Sequence, residues 1–594
     1  MISNTTCRRG FVACLCLTAA LANVHAGVPR LYSIMDHEPD LPTQTVVRHV
    51  PAHWKQLWLE ALAGPEDDLR REAAAAILRE HQKGCPDLDD MDESLMEALD
   101  LSRHPAARLT IAQALMELNV RTSAPQLFEL AQDSGNDGAM MIEPTLGHWD
   151  HKPSREMWLS RLSEPQSTPL RRLLLAIEGV GIVEEKRAVR HLQKLVFDDA
   201  VAPEIRLPAA RVLGELVAAG LTTDARQLAA DKSPRGMINR LIAASLLSTH
   251  LGDAPQQLLL QLAIDDQPAV AAVALRRLLQ IDPELVKPLV PRLLLNRDSI
   301  VRQLAARSLV ERATVDVIVT LGQLLDDVHP EVREYVRESM RELAQLPEFD
   351  EIIRNKAMEI LESKSWRELE QATRLLGELD HKPAAVQLVE LLYFDRAEVH
   401  VTAAWSLHQL AVPETLPGML VFTRSVTDRY AADPAASKGE RLSAGHDACL
   451  SHLFQAFGLM KYGEPEDVLL KFVPRRYDLG PRSRGAAIWA LGYLHENDPQ
   501  PGLMKMFGQR VADDGDIPYP EPVEVRTNAA TSLGRMNAAP ALKPLRHVYG
   551  RNPPGDRIRE ACGWAIERII GEDLPDPETR RVSPPNAFLR PIDP

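Results

Sequence analysis

Twelve residues near the carboxyl end, Val525-Arg526-Thr527-Asn528-Ala529-Ala530-Thr531-Ser532-Leu533-Gly534-Arg535-Met536, constrain the fold most, because variants of them return along nearly the whole chain. On a helix of 3.6 residues per turn, Val525, Ala529, Ser532, Leu533 and Met536 share one side, with alanines where a neighbouring helix must come close. The same pattern reads Ile205-Arg206 to Leu213-Gly214, Val301-Arg302 to Leu309, and Ile558-Arg559 to Ile566. Aligned on the Leu-like position, the copies fall at Ile77, Leu115, Ile177, Leu213, Leu246, Leu278, Leu309, Met340, Leu376, Leu407, Phe457, Leu491, Leu533 and Ile566. Most steps between them are 31 to 42 residues, the length of one antiparallel helix pair.

A single ordinary core does not extend over 594 residues, and the repeats select an array over several separate domains. Apolar residues make up 45% and aromatics 5%, which suits thin helix-on-helix layers. The formal net charge is -15. A nucleic-acid partner is disfavoured, since phosphate binding needs a concentrated excess of Lys and Arg.

Arg8 and Arg9 precede an apolar run from Gly10 to about Ala22, and Val24-His25-Ala26 places small residues where a signal peptidase reads. Residues 1–26 therefore read as a secretory leader and the protein as periplasmic or extracellular. The run is too short to span a bilayer, and no later stretch is long and uncharged enough to do so. Losing the leader removes Arg8 and Arg9 and no acid, taking the charge to about -17 by the same count. It also removes Cys7, Cys14 and Cys16, leaving Cys85, Cys449 and Cys562, which lie far apart in the array and are expected as free or buried thiols.

Residues 27–64 read as an extended, Pro-bearing arm and the first helix, and the repeats fill 65–570. Upstream of the template helices lie apolar stretches such as Ala188 to Leu192 and Val315 to Ile318, the first helices of the pairs. Between the two helices sit Asp198-Asp199, Asp265-Asp266, Asp326-Asp327 and Asp395, often followed by Pro203, Pro268 or Pro330, which suggests Asp caps with Pro at the helix start. This pattern resembles the HEAT-repeat family, in particular the HEAT-like repeats of phycobilin lyases. The resemblance implies an all-α, curved solenoid of about fourteen helix pairs with the second helix of each lining the concave side. The export signal argues against carrying over the lyase activity, since phycobilin lyases act on cytoplasmic antenna proteins. Iron-dependent hydroxylases with similar repeats place His-Glu pairs on repeated helices. Here the only such pairs are His37-Glu38, in the arm, and His495-Glu496, at a helix end, which departs from that arrangement.

Long steps place inserted loops near residues 133–155, 423–447 and 511–524, and residues 571–594 form a Pro-rich tail. The first insertion holds His148-Trp149-Asp150-His151, the densest cluster of possible metal ligands, and it carries the alternative reading of a metal-dependent enzyme. His446-Asp447 with His452 is a weaker version of the same idea. The template Arg recurs as Arg70, Arg108, Arg171, Arg206, Arg302, Arg333, Arg526 and Arg559, and the matching supply of turn aspartates favours salt links between layers over a row that holds an anionic partner. No nucleophile elbow, phosphate-binding loop, His-Glu-x-x-His or paired Cys-x-x-Cys motif occurs, so no catalytic residue, metal or cofactor is assigned.

Six residues after the template Val lies a position expected to face outward. Arg211, Arg276, Arg307 and Arg374 occupy it in the middle repeats, broken by Ala244 and Glu338, and Trp405, Trp489 and Trp564 occupy it toward the end, with Thr531 interrupting. On a solenoid this ladder makes a concave surface that passes from cationic to aromatic. Exposed Trp favours a ligand or partner over its apolar face, although packing on the neighbouring repeat would also use it. The reading is an exported, non-enzymatic scaffold that binds a protein or peptide through these seven residues and the inserted loops. If the leader is cut as read, amino-terminal sequencing of exported protein returns Gly27; an intact Met1 refutes the assignment.

Overall fold

The computed structural model describes residues 29–582 apart from 30, 87, 232, 234, 235, 431–441, 477 and 513–520. The leader at 1–26 and the end of the Pro-rich tail lie outside the described residues. Among the described residues the chain forms thirty α-helices, following one another as first and second members of fifteen helix pairs, and two three-residue strands. The all-α solenoid of the sequence is the observed fold. None of the described helices is long and apolar enough to cross a membrane.

The chain divides into two compact units. One comprises Leu41–Ile360, Gly550–Glu560 and Glu572–Pro594, and the other Met1–Asp40, Leu361–Tyr549 and Ala561–Gly571. They are called the N-terminal and C-terminal units below.

In the N-terminal unit several second helices are organised by a buried arginine one turn in, among them Arg206, Arg240 and Arg302. Arg302 donates from Nε and Nη2 to the two carboxylate oxygens of Asp327, both at 2.7 Å, and from Nη1 to the carbonyls of Asn296 and Arg297. Arg240 repeats the arrangement with Asp265 at 2.7 and 3.2 Å and with the carbonyls of Asp231 and Ser233. Arg206 reaches the carbonyl of Val196 and the amide oxygen of Asn239, each at 3.0 Å. Each guanidinium thus satisfies carbonyls left open where the first helix of its own repeat ends, and then a side chain of the next repeat. Of the arginines named from sequence, Arg302 makes the expected link to a turn Asp of the next repeat, whereas Arg206 meets Asn239 there and Asp199 of its own turn, and Arg70 pairs with Asp67 of its own helix. Two corrections accompany these links. Arg240, outside the aligned set, belongs to the ladder, and Arg171 lies exposed beside Asp137 while Arg172 reaches back to the preceding repeat, donating to the carbonyls of Ala131 and Ser134 and to Glu143.

The turn aspartates do other work than expected. Asp265 and Asp327 accept from the N–H groups of Gln267 and His329, two residues on, and from the arginines, while Gln267 and His329 themselves hold the cap positions before Pro268 and Pro330. Their side chains sit too far upstream to reach the first-turn amides. Asp298, one residue before its helix, is a true cap and accepts from Ile300 and Val301.

The insertion read at 133–155 is a correction: it holds a whole second helix and the start of the next pair. Asn136–His148 is a second helix with Ala139, Ile142 and Leu146 buried, and Lys152–Ser163 begins the next pair. Pro144 inside the helix and Gly135, Gly138 and Gly147 around it lower helix propensity enough to hide the repeat, while Leu146-Gly147 matches the template. The count is therefore fifteen rather than fourteen. Likewise, most of 423–447 belongs to helices Leu416–Tyr430 and Ala444–Leu459, and only 431–441 lies outside the described residues. At 511–524 the helices run to Ala512 and from Val523, with 513–520 outside the described residues.

The arm and tail also meet in the N-terminal unit. Strand β1 (Val46–Arg48) pairs in parallel with β2 (Arg580–Val582), Val46 facing Arg580. Gln44 donates to the carbonyl of Glu578. Cys85, Cys449 and Cys562 are buried thiols outside any disulfide, as expected.

The ladder yields a stability test. Burial, the largest single influence, raises the pKa of Asp327, but the hydrogen bonds from Arg302 and the His329 N–H together with the Arg302 charge outweigh it and hold the carboxyl below its ordinary value. A depressed folded value stabilises the protein above the unfolded pKa of about 4 and is lost as pH falls through the folded value. Arg302→Ala, which strands the buried carboxylate, is expected to cost about 3 kcal/mol, read by urea unfolding. The gap in Tm between wild type and Asp327→Asn is expected to be constant above about pH 5 and to narrow below about pH 4.

Candidate peptide groove

In the C-terminal unit the second helices are Trp366–Glu378, Ala397–Leu410, Ala444–Leu459, Pro481–Leu494, Val523–Arg535 and the end of Arg557–Ile570. They pack closely because each presents small residues to the next. Ser406 donates to the carbonyl of Thr373 at 2.8 Å, and Ser532 to that of Ile488 at 2.9 Å. The Gly that follows the template Leu has a further consequence. A Cβ on Gly377, Gly458 or Gly534 would fall 2.9, 3.1 or 2.8 Å from the Cζ3 of Trp405, Trp489 or Trp564 respectively. Each indole therefore lies across the glycine of the preceding second helix.

This corrects one expectation. Trp405 and Trp489 are buried, at 7% and 0% exposure, and Trp564 is half-buried. Thr531, expected to point outward, is buried as well. Part of the burial comes from the neighbouring repeat, and part comes from the arm, which lies on this face. Trp405 donates from Nε1 to the carbonyl of Tyr32 at 3.1 Å, and Trp489 to that of Glu38 at 3.0 Å. Between them Gln455 accepts from the hydroxyl of Ser33 at 2.9 Å and from the N–H of Met35 at 3.2 Å. Arg535 donates to the Glu38 carbonyl at 2.8 Å. Ser33, Met35 and Pro39 are buried, while Tyr32 is exposed and stacks on His37 over a single 3₁₀ turn, Ile34–Asp36.

Gln455 stands two residues before Phe457, at the same ladder position as the tryptophans, and the sequence reading omitted it because that repeat matches the template poorly. Arg535 lies one turn beyond Thr531. Its guanidinium carbon sits 4.3 Å from the Tyr493 ring centre and 5.5 and 5.7 Å from those of Trp489 and Trp564. Burial lowers its pKa, and cation–π contacts offset part of that cost.

The remaining candidates disperse. Arg374, in this unit, pairs with Glu378 at 3.0 Å. In the N-terminal unit Arg307 pairs with Glu311 at 2.6 Å, and Arg211 and Arg276 are exposed. His148, Trp149, Asp150 and His151 form a tight turn rather than a loop: Trp149 donates to Asn119, Asp150 binds Arg155, and His151 faces Ser154 and Phe128. Asp447 accepts from the N–H and hydroxyl of Ser483, and His446 stacks on His400. His452 stacks on His408, and burial pushes them down to about 3 and about 4, so both are neutral imidazoles. Among the described residues no three His, Cys, Asp or Glu side chains converge on a metal-sized site.

No family model matches the chain, and no curated protein matches it in sequence. Solved structures match in fold. Kap95p, from a study of its binding to RanGDP, superposes with a TM-score of 0.51 at 14% identity, over 87% of this chain and 72% of that one. Kap95 in its complex with Nup1 gives 0.50 at 13%, with the same coverage. The CpcE–CpcF complex of phycocyanin lyase from Nostoc sp. PCC7120 gives 0.28 at 16%, over 43% of this chain and 95% of that one.

The geometry predicts which contacts hold the arm. Gln455→Ala removes the acceptor shared by Ser33 and Met35, each bond worth about 1 kcal/mol. Hydrogen exchange at the Met35 amide is expected to accelerate roughly tenfold or more, with amides of the Arg240 ladder unchanged.

Proposed function

We propose that this protein, a HEAT-repeat solenoid, is an exported, non-enzymatic scaffold whose C-terminal unit holds a peptide segment of a protein partner across its second helices. The observation that carries the reading is the set of side-chain-to-main-chain hydrogen bonds by which Trp405, Gln455, Trp489 and Arg535 hold residues 32–38. Such contacts read the carbonyls and N–H groups common to every peptide, which is how a groove binds chain segments rather than one small molecule. Kap95p and Kap95, similar in fold, are described with the proteins RanGDP and Nup1. Export rests on the leader pattern in residues 1–26. The exposed Arg211, Arg276 and Arg307 of the N-terminal unit supply positive charge for acidic parts of a protein partner, so Arg307→Glu slows association in a salt-dependent way.

Selection of a random peptide library against the mature chain tests the groove. Recovered peptides are expected to lose roughly 30-fold in affinity, about 2 kcal/mol, on Trp405→Ala, with helicity unchanged. Equal binding to wild type, Trp405→Ala and Trp489→Ala overturns the reading.

A further inference from the structure

Building on that groove, we infer that residues 31–40 are a built-in competitor for it, and that their chemistry specifies the partner segment that displaces them: a hydroxyl residue, a long, flexible apolar residue two positions on, and an acidic residue followed by Pro three further on.

All but the proline, which is buried at position 39, are read by a named group. Gln455 is fixed by donating from Nε2 to the carbonyl and hydroxyl of Ser451, which turns its Oε1 to the arm. That oxygen accepts from a hydroxyl at position 33 and an N–H at position 35, so Ser or Thr suits the first and Pro is excluded at the second. Met35 is 4% exposed, with its Sδ 3.9 Å from Nδ2 of Asn528, so the site takes a long, flexible apolar side chain. The Glu38 carbonyl receives both Trp489 and Arg535, and its carboxylate stands 3.8 Å from Nη2 of Arg535. Nη1 of Arg535, on a side chain 3% exposed, has no hydrogen-bond partner among the described residues. A competitor that brings its carboxylate closer would take up that donor.

Unlike the arginine ladder, the seat can empty without stranding its polar groups. The indole N–H groups, the Gln455 oxygen and the Arg535 guanidinium turn to the arm, so its departure delivers them to water. The arm itself is only partly engaged: Tyr32, Asp36, His37 and Glu38 stay exposed. Its tether sets the strength of the competition. A short linker holds a segment at an effective concentration of about millimolar, so an arm whose own intrinsic Kd is about ten micromolar weakens any outside peptide roughly 100-fold.

The test keeps the full mature chain. A protease site placed between Pro42 and Thr43, cut after folding, turns the arm into a free peptide. A fluorescent peptide of residues 31–40 is then expected to bind the cut chain at one per chain and at least tenfold more weakly before cutting. The same peptide carrying Met35→Asp is expected not to bind, and Gln455→Ala in the chain is expected to weaken uptake tenfold or more. Loss of helicity on cutting, or a cut, folded chain that releases its arm yet takes up no labelled peptide, overturns the proposal and makes the arm a structural strut. Library peptides that depend on Trp489 but bind cut and uncut chains equally would also overturn it, while leaving the groove itself standing. If neither library nor arm peptides bind the cut, folded chain, the groove fails too.

Discussion

A guanidinium buried in a stack of helices is tolerable only if nearly every donor finds an acceptor, and that requirement fixes the repeat. Arg302 and Arg240 bring it about in the same way, using carbonyls that the end of a first helix leaves open and a carboxylate from the following turn. The same side chain therefore sets the angle between the two helices of a pair and the spacing to the next pair. Moving one repeat would leave both a cation and an anion without partners in a dry environment. The apolar faces supply the area buried, but they would tolerate sliding; the arginines do not.

In the C-terminal unit a second requirement acts on the opposite side of the same helices. Gly377, Gly458 and Gly534 remove the side chains that would collide with Trp405, Trp489 and Trp564, and the rings then cover the exposed backbone. A tryptophan held flat in this way has one polar atom, and in two of the three it is turned to a carbonyl of the arm. Packing and recognition are thus properties of different edges of one ring. The sequence alternatives of core residue and binding residue were not exclusive.

The array was legible because helix period, Ala positions and the recurrent Leu-Gly all repeat, and local features of that kind survive variation in single copies. The pair around Asn136–His148 was not, since Pro144 and three glycines lower its helix propensity although tertiary packing keeps it helical. The ladder named Trp405, Trp489 and Trp564 but passed over Gln455, whose polar side chain resembles surface until the Ser33 and Met35 donors are seen against it. Nothing in the spacing could show that arm, because residues 33 and 455 are brought together by the path of the whole chain. A signal did exist in part: each Trp at the ladder position follows a repeat with Gly after its Leu-like residue, Gly377, Gly458 and Gly534, although Gly214 and Gly492 precede Ala244 and Thr531.

The pairing of β1 with β2 has a mechanical meaning. Both strands run in the same direction, Val46 beside Arg580 and Arg48 beside Val582. Tension that reaches β1 from upstream of Val46 and β2 from downstream of Val582 pulls the strands in opposite senses along their length. The load falls in shear, on all their hydrogen bonds together, rather than peeling them one at a time. In the N-terminal unit the arm and tail are thereby joined by a clasp that resists stretching far better than prying.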